Sequence, residues 1–211
     1  MKFNRGFPAV LLLLAGWVPQ EPSPLEKYRR LEFPPKAENF DKGWQDRVAV
    51  EFEIINTSDL KSLRAGLKDP DFFVRAMAAR ALGIRADKTS AEALAELAKA
   101  DPEYLVRMRA VESLGFLKMK SEVIEEAKKD PNVLVWYAAR MAAGQLERDT
   151  DFASQVREAY ATGIKREVMG SAKVGKPAPD FSARTSDGKV FKLSDVLGKK
   201  PVVIYFAAFD T

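Results

Sequence analysis

Apolar residues return at helical spacing through the middle of the chain. In residues 90–100, Ala91, Leu94, Ala95 and Ala98 share one face while Glu92, Glu96 and Lys99 lie elsewhere, the pattern of an amphipathic helix. Residues 58–68 and 121–129 occupy equivalent places. Each of the three is followed by an Asp-Pro pair (Asp69-Pro70, Asp101-Pro102, Asp130-Pro131) at spacings of 32 and then 29 residues. After each pair comes an Ala-rich apolar run that closes on glycine, at Gly83, Gly115 and Gly144. Aspartate caps free amides, proline is tolerated in a first helical turn, and glycine suits the left-handed position after a last turn. The pattern therefore predicts a second helix in each copy, with Asp-Pro at its start and glycine at its exit.

Such helix pairs bury their stripes only by stacking on neighbours, and small residues such as Ala78, Ala79, Ala110 and Ala139 let helices approach closely. That is the logic of an α-solenoid. The shared string D-P-x3-V-R-x2-A-x3-L-G resembles the HEAT repeat family, in its short bacterial form, over about residues 57–146. The third copy departs from it, with Trp136 for arginine and Ala143 for leucine, as a terminal repeat would. Upstream, residues 48–55 fit either an alternating strand or a helix of a preceding unit. Helix is favoured because Val48, Phe52 and Ile55 share a helical face and a solenoid needs an end cap. The resemblance implies a scaffold that binds a protein partner and carries no reaction chemistry of its own. Phe72, Phe73, Tyr104, Trp136 and Tyr137 stand at the starts of the second helices. They fit either inter-repeat core, the commoner role, or the walls of a partner groove.

Residues 1–18 combine Lys2 and Arg5 with an apolar run through Leu11 to Leu14 and the small pair Ala15-Gly16. The run is short of the ~20 apolar residues of a membrane span, so it predicts a secretory signal, a periplasmic or extracellular destination and no stable membrane insertion. Trp17 stands where a lipoprotein would carry cysteine, which argues against lipidation. Pro19, Pro22 and Pro24 then suggest an extended linker, within a linker or cap at 19–46.

Composition narrows the chemistry. At 211 residues, 46% hydrophobic and 30% charged, the chain is an ordinary globular protein of one or two domains. Its 34 Lys and Arg are interleaved with 30 Asp and Glu, for a net charge of +4, which gives nucleic-acid binding no support. With no Cys and no His, disulfides, thiolate zinc sites, cysteine nucleophiles and Ser-His-Asp triads are excluded. The stretch 170–176 matches G-x4-G-K, the opening of a phosphate loop, but Pro177 replaces the magnesium-binding Ser or Thr and no strand precedes it. It is better read as the exit of a charged helical pattern over 152–169 and a linker. No cofactor and no metal site is predicted.

From Val174 the composition changes. Asp187-Gly188 between two short alternating runs signals a hairpin, Ser194 is placed to cap a helical turn, and residues 202–206 form an apolar run suited to a buried strand. V-G-x-P-A-P-D-F at 174–181, D-G-K at 187–189, L-S-D at 193–195 and G-K-K-P-V-V at 198–203 together resemble the start of the redoxin branch of the thioredoxin fold, the alkyl hydroperoxide reductase and thiol-specific antioxidant proteins. The resemblance implies a cysteine or selenocysteine nucleophile at or just after Thr211, so that no catalytic residue lies within the chain as written. It also implies a thiol electron donor and, for a full-length product, a thiol- or selenol-dependent oxidoreductase of peroxiredoxin type. Loss of the nucleophile at a UGA codon read as stop is the sharpest form of that expectation. A segment of this size buries too little apolar area to offset its ordering cost of ~1–2 kcal/mol per residue, so alone it should be poorly ordered.

The expected fold class is mainly α: a HEAT-type α-solenoid followed by an incomplete α/β thioredoxin-like fold. Its parts are a signal peptide at 1–18, a linker or cap at 19–46, the solenoid at 47–146, a helix and linker at 147–173, and the first part of a redoxin domain at 174–211. The alternative is a non-catalytic protein-binding scaffold with a vestigial tail.

Overall fold

The computed structural model describes residues 21–32, 40–147, 152–163, 176–184 and 189–203. Residues 1–18, read above as a secretory signal, most of the G-x4-G-K stretch and Thr211 lie outside the described residues.

Helix α1 (Pro24–Arg29) opens on Pro24, with the Ser23 hydroxyl accepting the Glu26 amide. Pro24 thus begins a helix instead of extending a linker, because its missing N–H falls where a helix has a free donor anyway. Helix α2 (Phe40–Thr57) runs without a break across residue 47, and the helical alternative for residues 48–55 holds. Three pairs follow: α3 (Leu60–Gly66) with α4 (Phe72–Ile84), α5 (Ala91–Ala100) with α6 (Tyr104–Phe116), and α7 (Glu122–Ala127) with α8 (Val133–Glu147). The second helices stack in order, α4 on α6 on α8; each first helix packs on its own partner, and α1 and α2 close against α4. Ala78, Ala79, Ala110 and Ala139 are fully buried in this stack, together with Leu82, Leu114 and Val135.

The arginine of each repeat string binds the next copy. Arg75 makes a two-pronged ion pair with Asp101, at 2.8 and 3.1 Å, while its third nitrogen donates to the carbonyls of Asp69 and Pro70 in its own copy. Arg107 repeats the arrangement on Asp130 and on the carbonyls of Asp101 and Pro102. The planar guanidinium fits a carboxylate with two parallel bonds, so each pair fixes the register of one repeat on the next. The chain of pairs begins with Arg29 of α1 on Asp69.

Two details of the repeat string differ from expectation. The Asp-Pro pair does not open the helix: Asp69, Asp101 and Asp130 accept the amides of Asp71, Glu103 and Asn132, two residues on, inside a turn. Capping of α4 and α8 falls to Asp71 and Asn132, which accept from Phe73 and Leu134. The repeat glycines likewise stand inside the helices rather than in the left-handed exit. A Cβ on Gly83 would lie 2.4 Å from Ser113 Oγ and 2.6 Å from Ser113 Cα, and one on Gly115 would lie 2.8 Å from Ala142 Cα. These glycines let adjacent second helices touch backbone to side chain. The left-handed exits are taken by Ala86 (φ 56°) and Lys118 (φ 51°). The paired bonds Asp87 N–H to Leu82 O and Ala86 N–H to Gly83 O, with their equivalents after α6, mark a Schellman closure.

Past the stack, α9 (Phe152–Glu158) and a π-helical turn (Ala159–Gly163) return to its early part; residues 164–169 of the helical pattern read over 152–169 lie outside the described residues. Arg157 donates to Ile84 O at the exit of α4, and Asn56 donates to Tyr160 O. Strands β1 (Ser182–Arg184) and β2 (Val190–Lys192) pair antiparallel with Ala183 opposite Phe191. A turn at Leu193–Asp195 follows, but Ser194 does not cap it; the Ser194 amide instead donates to Asp180 at 2.8 Å. Residues 201–203 form no strand, and Val203 is 92% exposed. A strand's amides and carbonyls need a paired neighbour, and none is present for this run among the described residues. The remainder of the predicted strand, residues 204–206, lies outside the described residues.

Candidate functional site

The first residues of α4 and α6 meet α2 around an open groove of about 470 Å³. Helical spacing puts its walls together: Trp44, Arg47 and Glu51 share one face of α2, Phe73, Met77 and Arg80 one face of α4, and Leu105 and Arg109 one face of α6. Phe72 and Tyr104, at the starts of their helices, complete the rim. Phe72 and Phe73 stack with centroids 4.1 Å apart. Tyr104 is 42% exposed and Trp44 37%, which is unusual for large apolar side chains and marks a surface that keeps its aromatic area available.

The floor carries ion-paired arginines. Arg47 is buried, with its guanidinium 4.6 Å from the Tyr28 ring centre and 5.3 Å from that of Phe73. It donates to Glu51 at 3.1 Å and to the Tyr28 hydroxyl, which in turn donates to Glu51. Burial, with the Glu51 carboxylate beside it, pushes the Tyr28 hydroxyl well above its ordinary pKa, so it stays a neutral donor. Arg109 donates to Glu112 at 2.7 Å. Burial works to lower its pKa, but the Glu112 and Glu51 carboxylates more than offset it, so its charge is retained. Arg80 reaches the hydroxyl of Tyr160 at 3.0 Å.

Of the five aromatic residues singled out in the sequence, Phe72, Phe73 and Tyr104 line this groove. Trp136 and Tyr137 do not; Trp136 instead packs its ring 4.9 Å from the Arg140 guanidinium. Trp44, Arg47, Arg80, Arg109 and Tyr160 were not anticipated. The 44, 47, 51 spacing on α2 was readable, but the arginines sat in an interleaved charge pattern that looked like ordinary solvated surface. A larger, shallower depression of about 600 Å³ lies between α1 and α2. Its Lys27 and Glu53 neutralise one another at 2.9 Å, so it presents less unspent chemistry. No group of three or more acidic side chains placed to hold a metal occurs among the described residues. No helix among them is long and apolar enough to cross a membrane.

The family model of HEAT repeats matches residues 49–115, from within α2 to the end of α6. This stretch is similar to HEAT repeats. Helices α7 and α8 continue the same stacking and the same Arg-to-Asp register past the matched stretch, so the groove is a feature of the stacked helix pairs and of the α2 that closes them. No curated protein gives a significant match to the chain.

Proposed function

We propose that the protein is a binding scaffold whose HEAT repeats present the α2, α4 and α6 groove to a protein partner. The observation that carries this reading is the exposure of Trp44 and Tyr104 beside a buried, cation-bearing floor, an arrangement that favours burial of a partner's side chains over the protein's own. Peptides selected from a random library against the full chain should lose binding when Trp44→Ala and Tyr104→Ala are combined. Binders indifferent to both changes would place recognition elsewhere and remove the proposal.

A second reading concerns residues 174–211, which we infer to be the opening of a redoxin-type unit, in a product exported through residues 1–18. It is favoured by the bonding of two of its motif elements to one another: Asp180 accepts the Ser194 amide, and Phe181 O accepts the Leu193 amide at 3.0 Å. In this reading the full-length product is a thiol- or selenol-dependent oxidoreductase, with its nucleophile at or just after Thr211 and the repeats orienting a partner. The coding sequence beyond the Thr211 codon tests it. An in-frame continuation through a Cys or UGA codon into a helix and further apolar strands is the expected result; any other continuation ends the reading.

A further inference from the structure

We propose that the ligand of the groove is an acidic peptide carrying an aromatic side chain next to a carboxylate, with Arg80 as the anchoring cation and Tyr160 as the group it displaces. The inference rests on the scaffold reading and gives it a partner chemistry.

Two of the three arginines around the groove are held by carboxylates, and the third is not. Arg47 is matched by Glu51 and Arg109 by Glu112. Arg80 is partly buried in the groove wall, and no ion pair is formed by it among the described residues. Its partner is a neutral phenol: the Tyr160 hydroxyl at 3.0 Å, with the Tyr160 ring centre 5.9 Å from the guanidinium. A guanidinium that has given up part of its hydration and received only a phenol is under-compensated. A carboxylate would make a charge-assisted bond about twice as strong as the neutral one it replaces.

Tyr160 also shows what the neighbouring wall accepts. Its ring stacks on Phe52 with centroids 4.6 Å apart, so an aromatic ring and a polar oxygen on one residue already satisfy this corner together. Its backbone is carried on a π-helical turn and tied by the Asn56 bond to its carbonyl. Along the groove from Arg80, the partly exposed Tyr104 and Trp44 give a second side chain aromatic surface to pack on. Glu51 and Glu112 are committed to Arg47 and Arg109, and Glu103, the remaining acid of the lining, forms no ion pair with Arg80 among the described residues, so the preference for an acidic ligand rests on Arg80 itself.

The test uses the full chain and three fluorescein-labelled synthetic peptides of equal length: alternating Glu and Phe, alternating Lys and Phe, and alternating Glu and Ala. The Glu-Phe peptide should bind saturably and at least about tenfold more tightly than either control, and added salt should weaken it. Arg80→Gln should cost about tenfold in affinity, Arg80→Lys less. Tyr160→Phe, which removes the competing hydroxyl, should tighten binding about threefold, and Arg80→Gln with Tyr160→Phe should abolish that gain. The Tyr160→Phe single variant remains decisive even if Arg80→Gln lowers the melting temperature, because it is read on an intact Arg80. If Lys-Phe binds as well as Glu-Phe and Tyr104→Ala abolishes both, the groove stands and the acidic specificity is wrong. If Glu-Phe binds but ignores Arg80→Gln and Tyr160→Phe, the anchoring role is wrong. If no peptide binds, or Tyr104→Ala changes nothing, the scaffold reading falls with it.

Discussion

At one end of the stack, α1 and α2 supply what a further repeat would. Arg29 pairs with Asp69 as Arg75 and Arg107 pair with the aspartates that follow them, and Leu25 reaches the spot where Gly66 leaves room for it. At the other end the same motif positions meet nothing comparable among the described residues. Trp136 stands where the register arginine would be, Val133 is 67% exposed, and a Cβ on Gly144 finds no atom within 4 Å. The difference teaches that a residue of the repeat string has no fixed role: glycine is obligatory where a helix presses on it and idle where none does. Stacked repeats draw much of their stability from such nearest-neighbour interfaces.

The sharpest way to break this comparison is to place the same methyl at both ends. Gly83→Ala should destabilise by about 3 kcal/mol, because the new Cβ meets Ser113 at its Cα as well as its hydroxyl and adjacent repeats must move apart. Gly144→Ala should instead gain about 0.5 kcal/mol from helix propensity alone. Thermal or urea unfolding of the two variants decides; equal losses would show that the stack ends elsewhere than at α8.

A smaller effect is expected from the register pairs. Arg107→Ala should cost about 2 kcal/mol, because it leaves the largely buried Asp130 carboxylate without its cation. The same pair sets a pH signature. The Arg107 guanidinium holds the Asp130 carboxyl below its ordinary value, as Arg64 does for Asp87. A folded-state pKa below the unfolded one contributes stability in full above the unfolded value, about 4, and loses it as pH falls through the lower folded value. Melting temperature should therefore drop below about pH 4 in the parent protein, and less steeply in Arg107→Ala. Parallel acid profiles would remove the pair from the account.

The smallest expected change is a gain. Ala86→Gly and Lys118→Gly should each stabilise by about 0.5–1 kcal/mol, since both positions are left-handed and closed by Schellman bonds. Measured at the two junctions separately, equal gains would show that these exits are equivalent in both repeats, whereas a loss at either would mean that its side chain makes a contact worth more than the strain.

Much of the stack was readable because its determinants are local and repeated. Apolar spacing gave the helices, the Asp-Pro and Val-Arg positions gave the period, and the small residues Ala78, Ala110 and Ala139 gave the close packing. The groove was only half readable. Phe72, Phe73 and Tyr104 were visible as aromatics at helix starts, but whether such residues turn inward or outward depends on the helix laid against them. In residues 174–211 the motifs were clear as strings; the described part of that region forms a two-strand hairpin, with Leu193 its fully buried apolar side chain.

The sequence by itself determined the paired helices of the repeats, the period at which the copies recur, and which chemistries a chain without Cys or His cannot supply, because helical spacing and residue type are properties of short stretches of chain. Only the tertiary structure decided that the repeat arginine ties its own copy to the next, that the repeat glycine admits a neighbour instead of ending a helix, and that Arg80 faces a phenol without a carboxylate. Each of these depends on which distant segment is brought within a few ångströms, and a pattern confined to one repeat carries no record of its neighbour.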